Sequence, residues 1–176
     1  MRGSRSQRLV IVLGLGLLIY VALTFVLEVV RVSGPSMKTT LADGDVLLAA
    51  RFMVPERGDI AVFHIDQDAG GAAVVKRVVA GPGDSLSIRQ GMVRVNGHGL
   101  LEDYIPEIWR TGTTWGDGSA QVMGSDQYFM LGDNRDLSVD SRMFGPQPRR
   151  LVDGVAVFRL WPIWRVGPVL RDNRTT

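Results

Sequence analysis

Residues Leu9 to Leu27 carry no charge. As a helix, these 19 residues would span about 28 Å, close to the hydrocarbon thickness of a bilayer. Arg2, Arg5 and Arg8 precede the stretch, a bias that keeps the N-terminus in the cytoplasm and exports the remainder of the chain. The competing reading is a cleavable leader, which needs a shorter apolar core and a small-x-small cleavage site. Glu28-Val29-Val30-Arg31 lacks that site. The expected organisation is a cytoplasmic basic segment over 1–8, a transmembrane anchor over 9–30 and one extracytoplasmic domain over 31–176.

Beyond the anchor the pattern is β. Short apolar runs at Asp45–Ala50, Ile60–Ile65, Ala72–Ala80, Ser85–Arg89, Met92–Asn96, Gln127–Leu131 and Val155–Leu160 are punctuated by Gly, Pro, Asn and Asp, the signature of successive strands and turns. Asn96-Gly97 after Val93-Arg94-Val95 predicts a hairpin. Residues from about 97 to 126 hold Pro106, Trp109, Thr111–Thr114 and several glycines. They predict an irregular insertion in a mainly β domain. Trp161 and Trp164 have two destinations, the core or a membrane surface; the core is expected.

Composition removes several chemistries. With no cysteine and two histidines in 176 residues, thiol nucleophiles, disulfides and thiolate metal sites are absent and a histidine-rich metal site is not expected. No HExxH, P-loop or complete GxGxxG occurs, so no metal and no cofactor is expected. Outside the first eight residues, 17 basic side chains face 18 acidic ones. Nothing in that balance suggests nucleic-acid binding.

Of 20 basic residues only Lys38 and Lys76 are lysines. Lys76 lies in Ala-Ala-Val-Val-Lys-Arg-Val-Val-Ala, a run that reads as a buried strand. Arginine stays protonated in a protein, whereas lysine loses its proton when apolar surroundings lower its pKa. Lys76 is therefore a candidate general base, against the plainer reading of a lysine snorkelling from a sheet edge. Val74 and Val78 share its strand face by the period of two, and their desolvation should depress its pKa. Lys38 is the rival base, among polar neighbours. Ser36 follows Gly34-Pro35 in a turn-forming, hydroxyl-rich segment and needs an activating base to act as a nucleophile. His64 reads as a strand residue and His98 as a loop tip, and no Gly-x-Ser-x-Gly elbow is present. The charged run Leu131-Gly132-Asp133-Asn134-Arg135-Asp136-Leu137-Ser138-Val139-Asp140-Ser141-Arg142 reads by itself as a solvated loop with local ion pairs.

Together these segments resemble bacterial type I signal peptidase. The resemblance rests on Ser33-Gly34-Pro35-Ser36-Met37, on Lys76-Arg77-Val78-Val79-Ala80-Gly81-Pro82-Gly83-Asp84 and on Gly132-Asp133-Asn134-Arg135-Asp136 followed by Ser138, Asp140, Ser141 and Arg142. Arg57-Gly58-Asp59-Ile60-Ala61-Val62-Phe63 and Phe158-Arg159-Leu160-Trp161-Pro162 add two further strands in the family's order. It runs from about residue 9 to about residue 168 and implies a signal-peptidase-like β-sheet catalytic domain. It implies a Ser36 nucleophile, a Lys76 base, a Ser138 hydroxyl that orients the amine, and supporting ion pairs from Arg77, Asp133, Asp140 and Arg142. The family block has proline where this chain has Thr39. Some relatives place a serine hydroxyl donor where this chain has Gly34, which leaves the Ser36 backbone N–H as the named oxyanion donor. The implied activity is removal of N-terminal signal peptides from exported preproteins with small residues at the first and third positions before the cut. The expected enzyme is a membrane-anchored monomer, partnered by preproteins and by the lipid bilayer. Two other readings stand beside it. One is a related Ser–Lys peptidase, such as a pilus-processing enzyme. The other is a non-catalytic, membrane-tethered β domain that binds exported proteins.

Overall fold

The structure is a computed structural model that describes residues 5–64, 73–106, 114–172 and 174. Ile65, Ala72, Trp109 and Thr111–Thr113, on which parts of the predicted strands and insertion fall, lie outside the described residues, as does Arg2.

The apolar N-terminal stretch forms α1 (Arg5–Val26). Its Gln7–Val26 portion is long and apolar enough to cross a bilayer, and the β domain buries none of it. The helix does not run on to residue 30. Leu27–Arg31 is a strand, β1, paired antiparallel with β2 (Val46–Ala50) from Leu27↔Ala50 to Arg31↔Val46. The reason is local. The valines of Glu28-Val29-Val30-Arg31 favour a pleated surface, Val29 and Arg31 face outward while Val30 enters the core, and Glu28 meets Arg51 at 3.3 Å.

The remaining strands are β3 (Ile60–His64), β4 (Ala73–Ala80), β5 (Ser85–Arg89), β6 (Met92–Val95), β7 (His98–Gly99), β8 (Gln121–Val122), β9 (Gln127–Leu131), β10 (Gln147–Pro148), β11 (Val152–Trp161) and β12 (Gly167–Pro168), with a short α2 (Ser141–Phe144) after β9. Of these, β7, β8, β10 and β12 are two-residue strands that no predicted run covers, and the others match the predicted runs. The larger sheet runs β1-β2-β11-β3-β4-β9-β10, with β12 on β11; the smaller runs β7-β6-β5-β8. The long β11 crosses close over β2. A side chain on Gly154 would meet the Ala50 carbonyl oxygen at 2.9 Å, and the β11–β3 register shifts between Val152 and Gly154, as a bulge allows.

Three apolar clusters back this sheet. Met37, Leu41, Leu47, Ile60, Val62 and Val75 form one face. Ala61, Phe63, Val78 and Met130 form the opposite one. The small sheet closes on Phe129 and Leu131. The described residues of the insertion are irregular apart from β7 and β8, yet they pack: Ile105 is buried, and Trp115 stands edge-on to Phe129 at 4.4 Å. Trp161 and Trp164 correct the expectation of core residues. They are 52% and 78% exposed and pack against each other, 6.1 Å between centroids. They lie where β11 runs past the core, and no described residue covers them.

Candidate active site

The turn that carries Ser36 is held from below. Met37 and Leu41 are fully buried, and the Leu41 N–H donates to the Met37 carbonyl at 2.8 Å. Gly34 adopts φ +84°, a conformation that favours glycine, and its N–H donates to Asp43 Oδ1 at 2.9 Å. Ser36, between these anchors, is half-buried. None of the described residues accepts a hydrogen bond from its backbone N–H.

Lys76 reaches this turn from the interior of the sheet. Its strand, β4, pairs with β3 through Ala61↔Lys76 and with β9 from Arg77↔Leu131, so it is no edge lysine, and Lys76 is 3% exposed. Nζ lies 2.7 Å from Ser36 Oγ and donates to the Val75 carbonyl at 3.2 Å. Burial pushes the amine from 10.5 down to about 8, although the Asp140 and Asp133 charges oppose the shift. Val74 and Val78, on the same strand face, pack with Ala61 in the cluster behind it. A neutral amine at this distance can accept the hydroxyl proton.

The third segment closes the site. Asn134 donates from its backbone N–H to the Ser36 carbonyl at 2.9 Å and from Nδ2 to the Pro35 carbonyl at 3.2 Å. Asp133, fully buried, takes a bidentate pair from Arg77, Nε to Oδ1 at 2.9 Å and Nη2 to Oδ2 at 2.7 Å. Arg77 also donates to the Gly58 carbonyl at 3.0 Å. Burial disfavours its charge, but Asp133 more than offsets that and its pKa is raised. Asp140 takes Arg142 Nε at 2.8 Å and Nη2 at 2.9 Å, caps α2 through the Arg142 N–H and accepts from the Gly132 N–H at 3.0 Å. The four charged residues thus form two buried or nearly buried pairs, Arg77–Asp133 and Arg142–Asp140, rather than a solvated cluster.

Ser138 departs from its expected contact. Its hydroxyl is buried but makes no hydrogen bond among the described residues, so the expected bond to the Lys76 amine is not formed. Instead it packs on Gly132. A Cβ there would lie 2.6 Å from the Ser36 carbonyl oxygen and would overlap the Ser138 hydroxyl. Gly132 is therefore a site residue whose importance its sequence block did not reveal. Thr40 is another: its hydroxyl donates to Asp133 Oδ2 at 2.5 Å and accepts from Arg77 Nη2 at 3.2 Å. Arg135, in the same block as Asp133, forms a buried pair with Glu102 of the insertion; the pattern around Glu102 carries no signal for it.

The other sequence candidates fall elsewhere. Lys38 is exposed. His64 Nδ1 faces Asp153 Oδ2 at 2.7 Å, and His98 is exposed on β7. Among the described residues no group of three or more His, Asp or Glu side chains is arranged to hold a metal ion. Beside the dyad opens a cleft of about 240 Å³, lined by Arg31, Val32, Ser33, Ser36 and the Ala73–Lys76 stretch of β4.

Comparison with known proteins finds similarity to signal peptidases. The family described as "Signal peptidase, peptidase S26" matches residues 5–161. A signal peptidase I of Leptolyngbya laminosa is 35% identical over 95% of this chain and 82% of its own length. A signal peptidase I of Streptococcus pneumoniae is 32% identical over 78% of this chain and 84% of its own length. A crystal structure of a signal peptidase I from Enterococcus faecalis covers 58% of this chain and 97% of its own, at 30% identity and a TM-score of 0.49.

Proposed function

The chain belongs to the signal peptidase family, and on that footing we propose that it is a membrane-anchored serine endopeptidase that removes signal peptides from exported preproteins. Ser36 is the nucleophile and Lys76 the general base. The observation that carries this assignment is the 2.7 Å approach of a buried lysine, its pKa lowered to about 8, to the Ser36 hydroxyl.

In this reading neutral Lys76 takes the hydroxyl proton as Ser36 attacks the scissile carbonyl, then returns it to the leaving amine. The uncommitted Ser36 N–H stabilises the oxyanion. Ser138 orients the amine: its buried, unpartnered hydroxyl gains a bond if it turns to Lys76 during the reaction. The Arg77–Asp133 and Asp140–Arg142 pairs hold the loops and transfer no proton. An extended peptide lies in the cleft between Arg31–Ser33 and the start of β4, with its small side chains against Val32 and Val74. The enzyme acts as a monomer. α1 spans the bilayer with the N-terminus in the cytoplasm and the β domain outside. The exposed Trp161, Ile163 and Trp164 rest at the lipid surface, where indole rings are favoured.

The test is cleavage of a preprotein at its signal junction by the full chain in detergent. Ser36→Ala and Lys76→Ala are each expected to abolish cleavage while the domain stays folded, and the double variant to be little worse than either. His64→Ala and His98→Ala are expected to cleave normally. Retained activity in Lys76→Ala would overturn the assignment.

A further inference from the structure

The insertion is tied to both segments that build the dyad. On one side, Thr39 Oγ1 donates to the Tyr104 carbonyl at 2.6 Å, which holds the turn three residues beyond Ser36. On the other, the Tyr104 hydroxyl donates to Glu102 Oε1 at 3.2 Å. Glu102 pairs with Arg135, and Arg135 Nε donates to the Gly132 carbonyl at 2.9 Å. Between them the Tyr104 ring lies 4.0 Å from the Arg77 guanidinium, the group that grips Asp133. One short strap, 102–104, therefore touches the Ser36 turn, the strand of Lys76 and the loop between Gly132 and Ser138.

Two features of this strap are poorly explained by stability alone. Glu102 and Arg135 are only 3% and 6% exposed, and the attraction in a buried ion pair does little more than offset its desolvation. Thr39 sits at φ +92°, an outlier for a β-branched residue. Such a conformation persists where its surroundings over-determine it, and functional sites are where these conformations gather.

We propose that Thr39, Tyr104 and Glu102 are positioning residues that fix the separation of Ser36 Oγ and Lys76 Nζ. The inference rests on the Ser36–Lys76 assignment. The strap holds the Ser36 turn through Thr39. It holds the opposite wall through Arg135 and the Gly132 carbonyl, two residues before the Asn134 N–H that binds the Ser36 carbonyl. Proton transfer requires a hydrogen-bonded pair, and a displacement of about 1 Å costs roughly 100-fold in rate.

The experiment measures kcat and KM separately for the full chain in detergent, with a synthetic peptide spanning a signal-peptide cleavage junction. Thr39 is exposed, so Thr39→Val removes the hydroxyl without disturbing the core. Thr39→Val and Glu102→Gln are expected to lower kcat by roughly 10- to 100-fold with KM changed less than about twofold. Thr39→Ser, which keeps the donor, is expected to restore kcat. A folded Thr39→Val protein with wild-type kcat, or one whose defect lies in KM alone, overturns the proposal. So does a lowered melting temperature with normal kcat per folded enzyme in both variants. Ser36→Ala and Lys76→Ala, run in parallel, separate the two readings. If they keep their activity, the dyad itself is wrong. If they are dead while Thr39→Val and Glu102→Gln are normal, only the positioning role fails.

Discussion

Lys76 is the one lysine on a buried strand of a chain that otherwise prefers arginine, and the role proposed for it, general base, depends on losing a proton. Burial lowers its pKa from 10.5 to about 8. Activity should therefore fall about tenfold per pH unit below about pH 8, as the base becomes protonated; a pH–rate profile checks this. Lys76→Arg keeps the positive charge but cannot act as a base. It is expected to lose cleavage nearly as fully as Lys76→Ala, in an assay of the folded variants. The same shift has a consequence for stability. The folded-state pKa lies below the unfolded value, so the unfolded chain binds the proton more tightly, and the penalty for burying the charge is fully present below about pH 8. It fades as pH rises towards 10.5. Lys76→Met is accordingly expected to be inactive yet more stable at pH 7, by up to about 3 kcal/mol. Denaturant unfolding at pH 7 and pH 10 should show that gain shrinking at the higher pH.

At the scale of elements, the site is a junction of a turn, a strand and a loop, and Gly132 is where they are packed most tightly. A methyl group there would press on both the Ser36 carbonyl and Ser138. Asn134 holds the Ser36 carbonyl and Asp140 holds the Gly132 backbone, so the methyl group cannot be relieved by a shift of either alone. Gly132→Ala is therefore expected to cost about 1–3 kcal/mol of stability through overpacking and to lower kcat by roughly 100-fold through displacement of the nucleophile. Thermal unfolding and steady-state kinetics measure the two effects independently. The strand character of Arg77 and the turn at Ser36 were legible in sequence because each depends on residues a few positions apart. The Gly132–Ser138–Ser36 contact was not, because Ser36 lies 96 residues before Gly132 along the chain.

For the whole molecule, the division lies at residue 27 rather than 31. Nothing in the described β domain covers α1, whereas β1 forms five registered pairs with β2. A chain of residues 27–176 is expected to fold and to cut short peptides without α1. One of residues 32–176 leaves the β2 edge unpaired and uncovers the core around Val32, and is expected to be clearly less stable or to aggregate. Thermal unfolding and size-exclusion chromatography of the two chains decide this.

The sequence by itself determined the apolar helix, the longer strands β2 to β6, β9 and β11 and the candidates Ser36 and Lys76, because local periodicity, turn chemistry and residue type encode them directly. It also carried the family, through blocks that keep their order along the chain. The tertiary structure alone decided which charges pair, that Leu27–Arg31 leaves the helix for the sheet, that Trp161 and Trp164 lie outside the core, and that Glu102 and Tyr104 stand behind the dyad. Each of these depends on what the chain brings against a residue from far along the sequence. Burial and pairing are properties of that neighbourhood, and no local pattern at the residue itself specifies them.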